Sequence, residues 1–339
     1  MSSINSSVAA NNRIPELDVL RGFAAIAVMI YHYTVVYSSM VNHTDYRIYV
    51  PYGVYAVHFF FIISGFVISM TLEHTKRPMD FVVSRFSRLY PVFWVAVLLT
   101  QSVVWLSPQA EFSVSWRAAL VNLTMVAEVF HFPLVDNVYW SLVIELIFYT
   151  IIFFIWRFGF LSKIEFLVIP WCLSQILAAY SYSFFGYQFP QVIMVALLLK
   201  YAHLFMAGIL FYRLRTIGGN ISTLLLIVAC LCTEFLVQGS SAGSFCVGFF
   251  IIFYFLVRNR LHVIAVKPLI FIGSISYSLY LIHQNIGFEI MLRMKDYPKL
   301  VQLLVASIAV ILLSWGLRVA VEIPSMRWIR SLYRRVYPI

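Results

Sequence analysis

Of the 339 residues, 62% are hydrophobic and only 11% charged, against about 25% charged in ordinary soluble domains. So apolar a chain cannot cover itself with polar groups in water, and lipid is the solvent that fits. A net charge of +10 would point to nucleic acid in a soluble protein. Here the basic residues sit at the ends of apolar runs, where they read as membrane topology, and no nucleic-acid partner is expected.

Residues 1–13 are polar and are expected to form a disordered cytoplasmic N-terminus without a cleavable signal. Apolar runs near the ~20 residues of a spanning helix fall at 16–36, 53–72, 89–106, 138–156, 164–181, 191–212, 221–238, 244–257, 268–290 and 301–322, the eighth being short. The expected fold is an all-α polytopic membrane protein of about ten transmembrane helices. The stretch 118–130 is short, ends in His131-Phe132-Pro133, and is expected to re-enter or lie at the interface. Placing the N-terminus inside puts Lys76, Arg77, Arg85, Arg88, Arg157, Lys163, Arg213, Arg215, Arg258, Arg260, Lys267, Arg327, Arg330, Arg334 and Arg335 in the cytoplasm. Arg47, Arg117, Arg293, Lys295 and Lys299 remain outside, so both termini are expected to be cytoplasmic. With no internal repeat, the organisation expected is the tail 1–13, a transmembrane domain 14–325 and a basic cytoplasmic tail 326–339. The four cysteines, Cys172, Cys230, Cys232 and Cys246, lack metal-ligand spacing and read as small hydrophobes; no metal is expected.

Ionisable groups inside a span cost roughly 2.5–3.5 kcal/mol on the insertion scale and mark candidate sites. The first helix carries Asp18, Arg21 and His32. Arg21 and His32 are eleven residues apart, ~16 Å along one face; Asp18 and Arg21 stand at i, i+3 and can pair. His32 is open to two readings, a packing histidine or a functional one. Arg85 and Arg88, again at i, i+3, suit a phosphate, although positive-inside anchoring explains them as well. Tyr139-Trp140-Ser141 opens a span in which Glu145 is a buried carboxylate. It is expected either to orient His32 or to pair with another group such as Lys200 or Arg318. Ser64 and Gly65, after His58, are expected to be packing contacts. Tyr277, Tyr280 and His283 lie on a polar face that lines a cavity or bonds between helices.

Together these segments resemble the acyltransferase 3 family over nearly the whole chain. The resemblance rests on five stretches in order: Leu17-Asp18-Val19-Leu20-Arg21-Gly22 with His32, Phe59–Phe66, Arg85-x-x-Arg88 before Leu89-Tyr90-Pro91, Trp140-Ser141-Leu142-x-x-Glu145 with Phe148-Tyr149, and Ser276–Leu281 with His283. It implies a membrane O-acyltransferase of a bacterial inner membrane, moving acetyl from acetyl-coenzyme A to a hydroxyl of a cell-surface polysaccharide or its lipid-linked precursor. By the same resemblance His32 is the catalytic base, Arg85 and Arg88 hold coenzyme A phosphates, and Glu145 and Arg21 support them. Membrane lipids, a second copy of the chain and polysaccharide-assembly proteins are the partners this implies. Two positions depart from the family: His58 stands where an acidic residue is common and Ala56 where glycine is. Many members carry a C-terminal hydrolase-like domain. This chain ends soon after its last apolar run, so the final transfer is expected of the membrane domain or of a separate partner. The alternatives are a transporter or flippase, whose intramembrane ionisable groups form a path, and an acyltransferase acting on a lipid or secondary metabolite.

Overall fold

The computed structural model describes residues 14–41, 48–107, 113–218 and 220–337, which are predominantly helical with no strand among them. The tail 1–13 and Arg47 lie outside the described residues. The principal helices are α1 (Pro15–Tyr31), α2 (Ala56–Glu73), α3 (Pro78–Trp105), α4 (Trp116–Asn122), α5 (Trp140–Arg157), α6 (Glu165–Phe185) and α7 (Gln191–Ala196). They continue with α8 (Ala202–Thr216), α9 (Ile221–Gln238), α10 (Ser240–Val257), α11 (Lys267–Arg293), α12 (Lys299–Leu317) and α13 (Ile323–Val336). Their starts follow local chemistry. Pro15 and Pro78 occupy first-turn positions where the missing N–H costs nothing, and Glu16 and Asp18 face the positive helix end.

Eight helical stretches among the described residues are long and apolar enough to cross a membrane. Two of the runs expected from sequence behave differently. α11 has 27 residues, ample for a span, but it buries Ser276, Ser278, His283, Gln284, Asn285 and Glu289, which dilute its hydropathy. The 191–212 run is not one helix. It breaks between α7 and α8, where Leu198 takes a left-handed φ of 52°. α8, at 15 residues, rises only ~22 Å against ~30 Å of hydrocarbon. Since its far end carries Arg213 and Arg215, the break lies at bilayer depth. The 118–130 stretch holds the seven-residue α4 and a one-turn helix at Ala127–Phe130, too short to span. The basic tail belongs to α13, which continues α12 through a π-helical segment, Arg318–Glu322.

α1 and α11 touch backbone to backbone. A Cβ on Gly22 would stand 2.7 Å from Gly273 N, and one on Gly273 would stand 1.9 Å from Asp18 O. Small residues at such crossings allow van der Waals packing where lipid removes the hydrophobic drive. Gly65 plays the same part for α2 against α8, where a Cβ would meet Phe205 O at 2.0 Å. The α1–α11 crossing brings the two polar helix faces together.

Candidate active site

His32 sits where α1 leaves regular winding, in a π-helical segment His32–Val36. Such bulges recur at functional positions. His32 Nδ1 lies 2.9 Å from the Val28 carbonyl oxygen and 3.1 Å from His283 Nε2. The protonation pattern follows from the partners. A carbonyl only accepts, so His32 Nδ1 carries a proton shared between Val28 O and His283 Nε2. His283 Nδ1 lies 2.9 Å from the Tyr280 carbonyl, so it too is protonated and its Nε2 accepts. His32 Nε2 is left with its lone pair, the form a general base requires. The Tyr33 hydroxyl donates to the His283 carbonyl at 2.7 Å, passing through space that a side chain on Gly287 would fill.

Toward the basic end a cavity of about 70 Å³ is lined by Arg21, Ser64, Arg85, Arg88, Glu145 and Tyr277, among others. Tyr280 also lines it; its hydroxyl is 2.6 Å from Ser141 Oγ, and its ring centroid is 5.7 Å from that of His283. Tyr280 thus joins the cavity wall to the imidazole pair, neither ring of which lines the cavity. Arg85 donates to Thr71 Oγ1 at 3.2 Å and lies over the Tyr149 ring. Its Nε is buried without a hydrogen-bond partner. An orphaned donor of this kind costs about 1–3 kcal/mol, and an anion in the cavity would satisfy it. A second cavity, of about 220 Å³, shares Arg88, Ser276 and Tyr277 with the first and adds Asp18, Arg318, Glu322 and Arg330. Asp18 pairs with Arg21 at 3.6 Å, as the spacing predicts. Arg330 reaches back from α13 to Ser87 Oγ at 3.2 Å.

Several expected placements change. Glu145 does not orient His32. Its Oε1 accepts from the Ser64 and Tyr149 hydroxyls, the latter at 2.5 Å, so it belongs to the arginine cavity. Arg318 pairs with Glu322 at 3.9 Å, and Lys200 lies over the Tyr201 ring; neither is the partner of Glu145. Ser64 does more than pack, because it holds Glu145. Tyr139 is buried and donates to the Leu281 carbonyl at 3.1 Å, a brace between α5 and α11. Trp140 faces a different cavity, between α5 and α7.

His58 also lies apart from the arginines. Its Nδ1 is 2.6 Å from Glu234 Oε1, while Glu234 Oε2 is 2.6 Å from His203 Nε2 and Cys246 Sγ is 3.6 Å from Oε1. Gln175 donates to the Trp171 carbonyl through its nitrogen and turns its oxygen to His203 Nδ1 at 2.7 Å. His203 Nδ1 must therefore donate. The 2.6 Å contact between His203 Nε2 and Glu234 then requires one proton shared by the pair. Sequence reading missed Glu234 and His203. The cost argument that singled out Glu145 applies equally to Glu234, which stands in the apolar run 221–238.

A profile of the acyltransferase 3 family, described as an acyltransferase domain, matches residues 14–319. The acyltransferase MdmB of Streptomyces mycarofaciens is 27% identical over 175 residues, an alignment covering 49% of this chain and 45% of that protein. The chain thus spans less than half the length of that relative. No solved structure matches. The family match extends over nearly all the described helices and includes both imidazoles and the arginine cavity: the chain belongs to the acyltransferase 3 family.

Proposed function

We propose that this protein is a membrane O-acyltransferase that moves an acyl group, in the simplest case acetyl, from cytoplasmic acyl-coenzyme A to a hydroxyl of a cell-surface polysaccharide or its lipid-linked precursor, in a bacterial inner membrane. The observation that supports this most is a basic cavity lined by Arg21, Arg85 and Arg88, one of them with an orphaned buried donor, whose wall residue Tyr280 also touches the His32–His283 pair. The positive-inside rule puts the arginine end in the cytoplasm, where an anionic nucleotide is available.

Guanidiniums bind the donor phosphates through forked, charge-assisted hydrogen bonds. The thioester then has to reach ~16 Å inward, about half the hydrocarbon thickness, which requires an extended arm between helices. At the imidazole pair, His32 Nε2 takes the proton of the acceptor hydroxyl as its oxygen attacks the thioester carbonyl carbon. The C–O bond forms, the C–S bond breaks, and the imidazolium returns its proton to the leaving thiolate. The products are an ester and free coenzyme A. His283 stabilises the transient imidazolium, because its Nε2 accepts from the charged ring.

The test is purified protein in lipid nanodiscs with acetyl-coenzyme A and glycan oligosaccharides, scored by free thiol and by the mass of acetylated product. Product from the wild type, lost in a well-folded His32→Ala variant, supports the assignment. Full transfer by that variant would overturn it.

A further inference from the structure

A cavity larger than the two above takes no part in the site just described. It holds about 770 Å³ between α5, α7, the turn Leu198–Tyr201 and the segment 128–131, with Ala179 of α6 and Val237 of α9 at its edge. It lies toward the Trp140 end of α5, away from Arg157 at the other end. Its polar contributors are Glu128, His131, Gln191 and Lys200. Its wall along α5 and α7 is apolar, with Ile144, Ile147 and Val195.

Two features mark it as a binding site. The break at Leu197–Tyr201 leaves irregular backbone and a lysine at bilayer depth, which membranes tolerate only where they line protein or a water-filled cavity. Leu198, Lys200 and Tyr201 all line this one. Strain is concentrated there too. Of the four non-glycine residues with positive φ among the described residues, His131 (60°) and Leu198 (52°) both face it, and such conformations persist at functional sites.

One aromatic layer separates this cavity from the arginine cavity. Trp140 and Tyr201 line the larger cavity and Phe61 the smaller. The Phe61 ring centroid is 6.3 Å from that of Trp140 and 5.1 Å from that of Tyr201. Ser141, next to Trp140, faces the arginine side.

We propose that this cavity binds an amphipathic alcohol. Its apolar chain lies against Ile144, Ile147 and Val195, and its hydroxylated ring rests on Trp140 and Tyr201 within hydrogen-bond reach of Lys200 and Gln191. Neither a free sugar nor a plain lipid tail matches both halves of the lining. The inference rests on the acyl-transfer reading in one respect only: it makes this ligand the acceptor, delivered to the aromatic layer from the side opposite the donor.

The test is equilibrium binding of radiolabelled n-octyl β-D-glucoside to the full chain in nanodiscs, without coenzyme A and with glucose and 1-octanol as competitors. The expected result is saturable binding that neither competitor displaces at equal concentration. Val195→Trp, which puts bulk against the apolar wall, should weaken it at least about tenfold, as should Trp140→Ala, which only removes bulk. Gly316→Ala, whose added Cβ meets nothing within 4 Å, should leave it unchanged. Equal binding by wild type and Trp140→Ala, or displacement by 1-octanol alone, would overturn the site. Intact glycoside binding without any acetyl-coenzyme A turnover would instead remove the transferase assignment and leave the site standing.

Discussion

The imidazoles of His32 and His283 meet edge to face, with ring centroids 5.0 Å apart and His283 Nε2 3.1 Å from His32 Nδ1. The two residues are 251 positions apart in sequence. Each ring is held by a carbonyl of its own helix, so the pair has one arrangement of protons, with the free lone pair on His32 Nε2. His32→Ala should lower turnover about 10²–10⁴-fold, the usual contribution of a general base. His283→Phe keeps the ring volume and removes only the acceptor for His32 Nδ1–H. It should lower kcat by about tenfold while donor affinity stays unchanged. Steady-state kinetics beside donor titration separate the two effects, and an unaltered kcat would exclude His283 from the mechanism.

Arg85 brings a partnerless buried Nε to the arginine cavity. Arg85→Ala should weaken acetyl-coenzyme A binding by about 1.5–3 kcal/mol, the worth of a charged hydrogen bond, or roughly 10–150-fold in Kd. Arg85→Lys should not restore it, because a point charge lacks the fork. Calorimetric titration reads this directly, and affinity within twofold of wild type would reject the phosphate role.

Glu145 distinguishes two views of the same cavity. If it serves to balance Arg21, Arg85 and Arg88, Glu145→Gln removes one negative charge and leaves an amide oxygen for Ser64 or Tyr149. Donor affinity should then rise a few-fold, with turnover kept within about tenfold. Abolished turnover at normal donor affinity would return Glu145 to a catalytic part.

The Gly22–Gly273 crossing is testable by adding one methyl. Gly273→Ala places Cβ on the Asp18 carbonyl and should cost about 1–3 kcal/mol by overpacking. It should also weaken donor binding, because Asp18 and Arg21 shift with the backbone. Gly316→Ala, with nothing within 4 Å, should be neutral or stabilise by up to about 1 kcal/mol. Thermal unfolding in detergent compares them, and equal melting temperatures would contradict the crossing.

The His58–Glu234–His203 network should matter for stability before activity. Glu234→Ala removes the shared buried partner of His58 and His203 and should cost about 1–3 kcal/mol for each ring left unsatisfied. Glu234→Gln should cost less, since neutral His203 can accept from the new amide nitrogen. Denaturation monitored by intrinsic fluorescence would show the order, and a milder Ala than Gln would disprove the supporting role of this network.

Composition alone determined that this chain lives in lipid, because 62% apolar residues have no other solvent. Helical periodicity placed Asp18 beside Arg21 and set His32 three turns above them, since both relations lie within one helix and follow from its pitch. Local order also carried the arginine pair and the polar face of α11. What periodicity cannot carry is which helix meets which. The partner of His32 proved to be His283 because glycines on α1 and α11 let two backbones touch, a contact formed by residues some 250 positions apart. Glu145, at a matching depth, was turned away by hydroxyls from α2 and its own helix. The same limit applies to the break at Leu198. Its sequence is as apolar as a span, and only packing against Trp171 and Gln238, which bond the freed carbonyls of Leu197 and Lys200, makes irregular backbone tolerable within the bilayer.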